Sequence, residues 1–224
     1  MRTPPRFLKS PTVATDLIEI DSNRPSPEAI SRAAAEITRG RIVGVPTDAL
    51  YSLVADPFNL HTVGRVFAAK GRETVRSLPL AILDILMAED LARDLSSEFY
   101  LLARHFWPGP LTIIVPAAGK VPLKVTGNTG RLALRQTNSA VLNALLEKLG
   151  QPLIATSANI SGDPTMSSGI ELFAAMDGRV DLVLDGGPCT GQGPTTVDLT
   201  EAYWKVIKEG AISEKEIAER LQPA

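Results

Sequence analysis

Cysteine is almost missing from this sequence: Cys189 stands alone among 224 residues. No internal disulfide can form, no thiolate cage can hold a metal, and the usage fits a reducing, cytoplasmic setting. Histidine is nearly as scarce. His61 and His105 both fall inside helical patterns, apart from any nucleophile, and are read as ordinary helix residues. Neither a Ser-His-Asp hydrolase nor a histidine-bound zinc is supported. No apolar run approaches the roughly 20 residues that span a bilayer, which excludes a membrane-spanning helical protein. Excess charge of one sign is missing too: a formal net charge of −2 argues against coating nucleic acid by bulk electrostatics and leaves room only for a focal basic cleft. The P-loop, dinucleotide-binding, nucleophile-elbow and zincin signatures do not occur.

What is present has the composition of a soluble globular protein, 44% hydrophobic and 21% charged, on a length that buries one core. Residues 1–15 carry three cations, three prolines and no acid, and are expected to be a mobile arm without a secretory h-region. Residues 16–224 are expected to form one domain. Ser26-Pro27-Glu28 reads as an N-cap followed by proline at the first helical position, and Gly40 closes that helix. Further helical patterns cover about 60–70, 88–106, 139–149, 168–176 and 213–221. Strands are expected at 42–45, 78–83, 111–115, 132–135, 153–156, 180–184, 195–199 and 203–207. Such alternation predicts an α/β fold, a mixed sheet with helices packed on it.

Ligands of open α/β sheets sit at strand ends, and four loops carry suitable chemistry. PTDALY, residues 46–51, offers the Thr47 hydroxyl and the Tyr51 phenol, with Asp48 read as a turn cap at least as readily as a metal ligand. Lys70-Gly71-Arg72 follows a helix. A C-terminal cap accounts for one cation and the glycine; two cations around a glycine are also what polyphosphate recognition requires. ATSANISGDPT, residues 155–165, alternates Ser157, Asn159 and Ser161 with small residues, suited either to a self-bonded turn or to anion binding. The Gly/Pro-rich loop at 186–194 leads into Thr195 and Thr196.

Taken in order, VPTDALYSL (45–53), FAAKGR (67–72), FWPGPLT (106–112), LALR (132–135), ATSANISG (155–162), LDGGP (184–188) and TTVDLT (195–200) resemble the YrdC-like family of threonylcarbamoyl-AMP synthases. The resemblance implies a single-domain open twisted mixed sheet with a basic concave cleft. It also implies that the Lys-x-Arg and Ser-x-Asn pairs, Lys70, Arg72, Ser157 and Asn159, form the catalytic tetrad. By the same resemblance Thr47, Tyr51, Arg135 and Thr195 would contact threonine, while the tetrad with Thr165, Arg131 and Lys208 would contact ATP. L-threonine, bicarbonate and ATP would yield threonylcarbamoyl-AMP and pyrophosphate, with Mg²⁺ carried on the triphosphate. The product would feed tRNA N6-threonylcarbamoyladenosine formation by a downstream tRNA threonylcarbamoyl-transferase machinery, with contact to tRNA or other RNA.

Replacing Lys70 or Arg72 by alanine is then expected to lower turnover and leave the fold intact. The competing reading is a YciO-like RNA-binding or ribosome-associated module without synthase activity, against which the retained tetrad argues. Some residues depart from the family pattern. Ser52 replaces a glycine, Glu73 a proline, and SLPLAIL lacks a histidine found in many relatives. Lys208 replaces an arginine, and Glu209 beside it is expected to weaken attraction for ATP. The extra C-terminal domain of longer relatives is not expected in this chain.

Overall fold

The computed structural model describes residues 14–71 and 76–222. Its strands are β1 (Asp16–Glu19), β2 (Val43–Val45), β3 (Ser52–Ala55), β4 (Leu80–Ile82), β5 (Leu111–Pro116), β6 (Arg131–Gln136), β7 (Leu153–Ser157), β8 (Leu182–Asp185), β9 (Thr195–Asp198) and β10 (Lys205–Lys208). The helices are α1 (Pro27–Thr38), α2 (Leu60–Ala69), α3 (Ile85–Leu91), α4 (Ser97–Phe106), α5 (Ala140–Leu149), α6 (Gly169–Met176) and α7 (Glu214–Leu221). All ten strands join one sheet in the order β1-β8-β2-β3-β7-β4-β6-β5-β9-β10. It is mixed, as expected: β8 is parallel to both β1 and β2, whereas β3, β7 and β4 run antiparallel in succession.

Alternation along each strand sorts side chains between two faces. Leu53, Leu80, Ile82, Ile113, Leu132, Leu134 and Ile154 share one cluster with Val63 and Val66 of α2, Phe99 and Leu102 of α4, and Ile217 of α7. Val43, Val45, Val54, Ala81, Leu153 and Leu182 pack instead against Ile30, Ala33 and Ile37 of α1 and Val141, Leu142 and Leu145 of α5. Past α5 this second face continues through β6, β5, β9 and β10, where Ala133, Arg135, Thr112, Thr196 and Lys208 line a cavity.

Three expectations are corrected. The helix expected over 88–106 is two helices, because the chain leaves α3 to bridge Ala92 with Ala117 and to donate Arg93 N–H to Pro116 O. Asp94 turns with φ 53°, and Ser96 caps a new helix by accepting from Phe99 N–H. Two strands, β1 and β3, were not anticipated. The arm boundary at residue 15 also shifts: Thr15 is buried, and its hydroxyl donates to Val180 O at 2.7 Å and accepts from Gly178 N–H. The remainder of the expected arm, residues 1–13, lies outside the described residues. Among the described residues no helix is long and apolar enough to cross a membrane.

Candidate active site

The cavity encloses about 310 Å³, the scale of small-molecule sites. Its wall includes Thr47 and Tyr51 from the β2–β3 loop, Arg135 and Thr137 from the end of β6, and Ser157 from the end of β7. Thr165, Gly193, Pro194, Thr196 and Lys208 also line it.

Lys70 is the C-cap of α2, and Gly71 follows with φ 60°, the left-handed conformation that glycine adopts freely after a helix. The side chain does not stay at the helix end. It is fully buried, and Nζ donates to Ser157 O, to Asn159 O at 3.1 Å and to Asn159 Oδ1 at 2.8 Å, with Ser157 Oγ at 3.4 Å. Ser157 Oγ donates to Asn159 Oδ1 at 2.7 Å, and Asn159 Nδ2 donates to Asp163 O at 2.6 Å. Ser161 N–H in turn donates to Lys70 O at 2.9 Å. Two turns 87 residues apart are therefore laced in both directions. Lys70, Ser157 and Asn159 come together, while Arg72, and Glu73 beside it, lie outside the described residues. Ser157 reaches the cavity wall, and Lys70 stands behind it as a buried cationic post.

Arg135 reaches the cavity from β6, held at two of its nitrogens. Its Nε donates to Gly109 O at 3.0 Å and its Nη2 to Asp48 Oδ2 at 2.6 Å. Asp48 Oδ1 accepts the Thr137 hydroxyl at 2.6 Å. Burial pulls the guanidinium pKa below its ordinary value, and the Asp48 charge and hydrogen bond oppose that fall. Thr47 Oγ1 donates to Leu50 O at 2.6 Å and accepts from Ala49 N–H at 3.1 Å, so the hydroxyl also shapes its own loop. Asp48, for which the sequence left a turn cap and a metal role open, is the carboxylate that joins this loop to the end of β6. A partner 87 residues away leaves no local signal.

Three candidates have their polar groups engaged by other parts of the chain. The Tyr51 ring lines the cavity, but its phenol is buried against the turn after β8: it is within donor range of Gly187 O at 2.8 Å and Asp185 Oδ1 at 3.1 Å, and accepts from Gly186 N–H at 3.0 Å. Burial pushes its pKa up. Thr195 is fully buried. Its hydroxyl donates to Ile212 O at 2.5 Å and accepts from Gly210 N–H and Ile212 N–H. It fastens the 210–212 turn, and the next residue, Thr196, is the one on the cavity side of β9. Arg131 begins β6, four residues from Arg135, and is paired with Asp198 Oδ2 at 3.0 Å and Glu201 Oε1 at 2.8 Å. Four residues of strand are roughly 13 Å. Arg131→Ala is expected to leave nucleotide affinity within about two-fold, measured by titration calorimetry, because its guanidinium is taken up by Asp198 and Glu201 far along the strand from the cavity.

Lys208 and Thr165 both line the cavity, and Ser52 faces it directly opposite Ser157 in the β3–β7 register. The Glu209 carboxylate accepts Glu214 N–H at 3.1 Å at the start of α7, where an acid suits the helix dipole. Gly210 is required by packing, since an added Cβ would collide with Gly193 O. Cys189 donates its N–H to Ser167 O at 2.6 Å and its thiol to Thr47 O at 3.5 Å, and burial raises the thiol pKa. Its alkylation by iodoacetamide at pH 8 is expected to be slower than that of free cysteine; an equal or faster rate contradicts a half-buried thiol with a raised pKa.

A family model described as telomere recombination, labelled Sua5/YciO/YrdC, matches residues 35–210. The threonylcarbamoyl-AMP synthase of Pyrococcus abyssi is 34% identical over 198 residues, covering 86% of this chain and 58% of its own. The threonylcarbamoyl-AMP synthase of Pseudomonas putida is 33% identical over 181 residues, covering 81% of this chain and 97% of its own. Among solved structures, P. abyssi Sua5 complexed with L-threonine superposes with a TM-score of 0.88 at 33% identity, over 92% of this chain and 61% of that one. E. coli YciO superposes with a TM-score of 0.84 at 23% identity, over 91% and 99% of the two chains, which shows a shared fold. The chain spans about three fifths of the length of its P. abyssi and Bacillus subtilis relatives, 58% and 59%.

Proposed function

The chain belongs to the Sua5/YciO/YrdC family, and on that premise we propose that it is an L-threonylcarbamoyladenylate synthase, a nucleotidyltransferase acting on L-threonine, bicarbonate and ATP. The observation that carries this reading is one cavity gathering Arg135 beside Thr47 and Thr137 with Ser157, Thr165 and Lys208. The first group suits an amino-acid carboxylate and the second suits phosphate oxygens. The threonine amine combines with bicarbonate, losing water, to give a carbamate. A carbamate oxygen then attacks the α-phosphorus, the bond to the β-phosphate oxygen breaks, and pyrophosphate leaves.

This chemistry needs no enzyme nucleophile, so the residues act by holding charged reactants in contact and balancing charge on the phosphates. Lys208 supplies positive charge from β10, and Lys70 fixes the turn that presents Ser157. Mg²⁺ enters on the nucleotide with phosphate oxygens and water as its ligands. The carboxylate at the cavity edge, Asp48, has its oxygens engaged by Arg135 and Thr137. We place the reaction in the cytoplasm, with a downstream tRNA-modifying transferase consuming the mixed anhydride. Purified protein given L-threonine, bicarbonate, ATP and Mg²⁺ is expected to release pyrophosphate in a threonine-dependent manner. Release that ignores threonine, or none, overturns the proposal.

A further inference from the structure

The Asp48 carboxylate bridges two cavity-lining side chains from a different part of the chain, Arg135 Nη2 at 2.6 Å and Thr137 Oγ1 at 2.6 Å. Resting on the synthase reading above, we infer that Asp48 is the positioning residue of the amino-acid subsite, setting the Arg135 guanidinium in the orientation that receives the threonine carboxylate.

A planar fork recognises a carboxylate through two parallel N–H bonds only when its plane is fixed. Gly109 O on Nε gives one constraint and Asp48 on Nη2 gives a second, at two different nitrogens of the plane. Together they take two of the five N–H bonds of an arginine, so a carboxylate can engage the others without breaking either constraint. The Arg135 side chain is 14% exposed and that of Asp48 19%. At that burial the pair is far less screened than a surface ion pair, and the carboxylate opposes the fall in guanidinium pKa that burial causes.

Asp48 is itself held. Its own loop is tied to the start of α5 by the Ser139 hydroxyl on Pro46 O at 3.1 Å, and the Gly-rich loop passes so near that a Cβ on Gly191 would collide with Asp48 O. Asp48 thus connects three separate stretches of chain at one end of the cavity. A mere strut for the β2–β3 loop would, when lost, weaken every ligand and the fold together. A positioning role weakens L-threonine selectively and only through Arg135.

Titration calorimetry of L-threonine and of ATP into the full chain separates these. Asp48→Ala is expected to weaken L-threonine about 10-fold, the loss of one charge-assisted constraint. Asp48→Asn, which retains a hydrogen-bonding amide, is expected to weaken it about three-fold. ATP affinity should stay within about two-fold in both, and thermal denaturation should show each variant folded. In an Arg135→Ala background, Asp48→Ala should add less than about two-fold, because residues acting through one group are not additive. Unchanged threonine affinity in Asp48→Ala, equal weakening of ATP, or a full additional effect in the Arg135→Ala background overturns the inference while the synthase reading stands. Wild-type protein that binds ATP but no L-threonine overturns that reading, and this inference with it.

Discussion

Replacing Lys70 by methionine is expected to lower both stability and turnover, with kcat down about 100-fold. Methionine keeps much of the aliphatic stem and deletes the ammonium, which in the folded chain contacts Ser157 O, Asn159 O and Asn159 Oδ1. The acceptors do not suffer equally. Ser157 O still receives Asn159 N–H and Asn159 Oδ1 still receives Ser157 Oγ, whereas Asn159 O is left without a donor among the described residues. An orphaned buried carbonyl costs about 1–3 kcal/mol, and the lost charge-assisted bonds to the other two add to it. A total of about 2–4 kcal/mol lowers the Tm of a domain this size by roughly 5–15 °C. Turnover falls because Ser157 sits on the turn that Lys70 holds, and a displacement of about 1 Å among positioning groups can cost 100-fold. Thermal unfolding with pyrophosphate release measures both. A variant with unchanged Tm and full activity would show that the two turns hold themselves together. Lys70 is fully buried, so a loss of stability is expected alongside the loss of turnover that the sequence implies.

Arg135→Ala is expected to act on one substrate. Two charge-assisted bonds to the threonine carboxylate at about 1.5–3 kcal/mol each, partly offset by relief of guanidinium desolvation, leave a loss of about 3 kcal/mol. That is roughly 100-fold in threonine affinity, with the KM for ATP nearly unchanged. Arg135→Lys should restore only part, since an ammonium cannot keep Gly109 O, Asp48 and a carboxylate on one plane. Steady-state kinetics with each substrate varied in turn decides it. Equal KM values for threonine in wild type and Arg135→Ala would remove Arg135 from the amino-acid subsite.

The strong local signals translated directly into structure. Ser26 accepts Ala29 N–H at the start of α1, and Ser213 with Glu216 forms the capping box of α7, both as their spacing implies. The alternation of helix and strand gave a mixed sheet. The missed elements are those whose pattern is set by neighbours. Leu53, Val54 and Ala55 of β3 are all fully buried between β2 and β7, so the strand shows no alternation and merges with the loop before it. β1 is a four-residue edge strand, mostly exposed, that exists by pairing with β8 from 166 residues further along.

By itself the sequence determined the inventory: which turns exist, which helices are capped, and which loops carry hydroxyls, amides and cations. Capping and turn chemistry act over three or four residues, so short windows contain their causes. Tertiary structure alone decided direction. A strand sends successive side chains to opposite faces, so the choice between Thr195 and Thr196 rests on how β9 lies against β5. The Tyr51 phenol turned to Gly187, the Lys70 ammonium sank beneath Ser157, and Asp48 crossed to Arg135. Each polar group went where a distant partner could satisfy it after burial, because a lone buried charge or hydroxyl costs more than the chain can absorb.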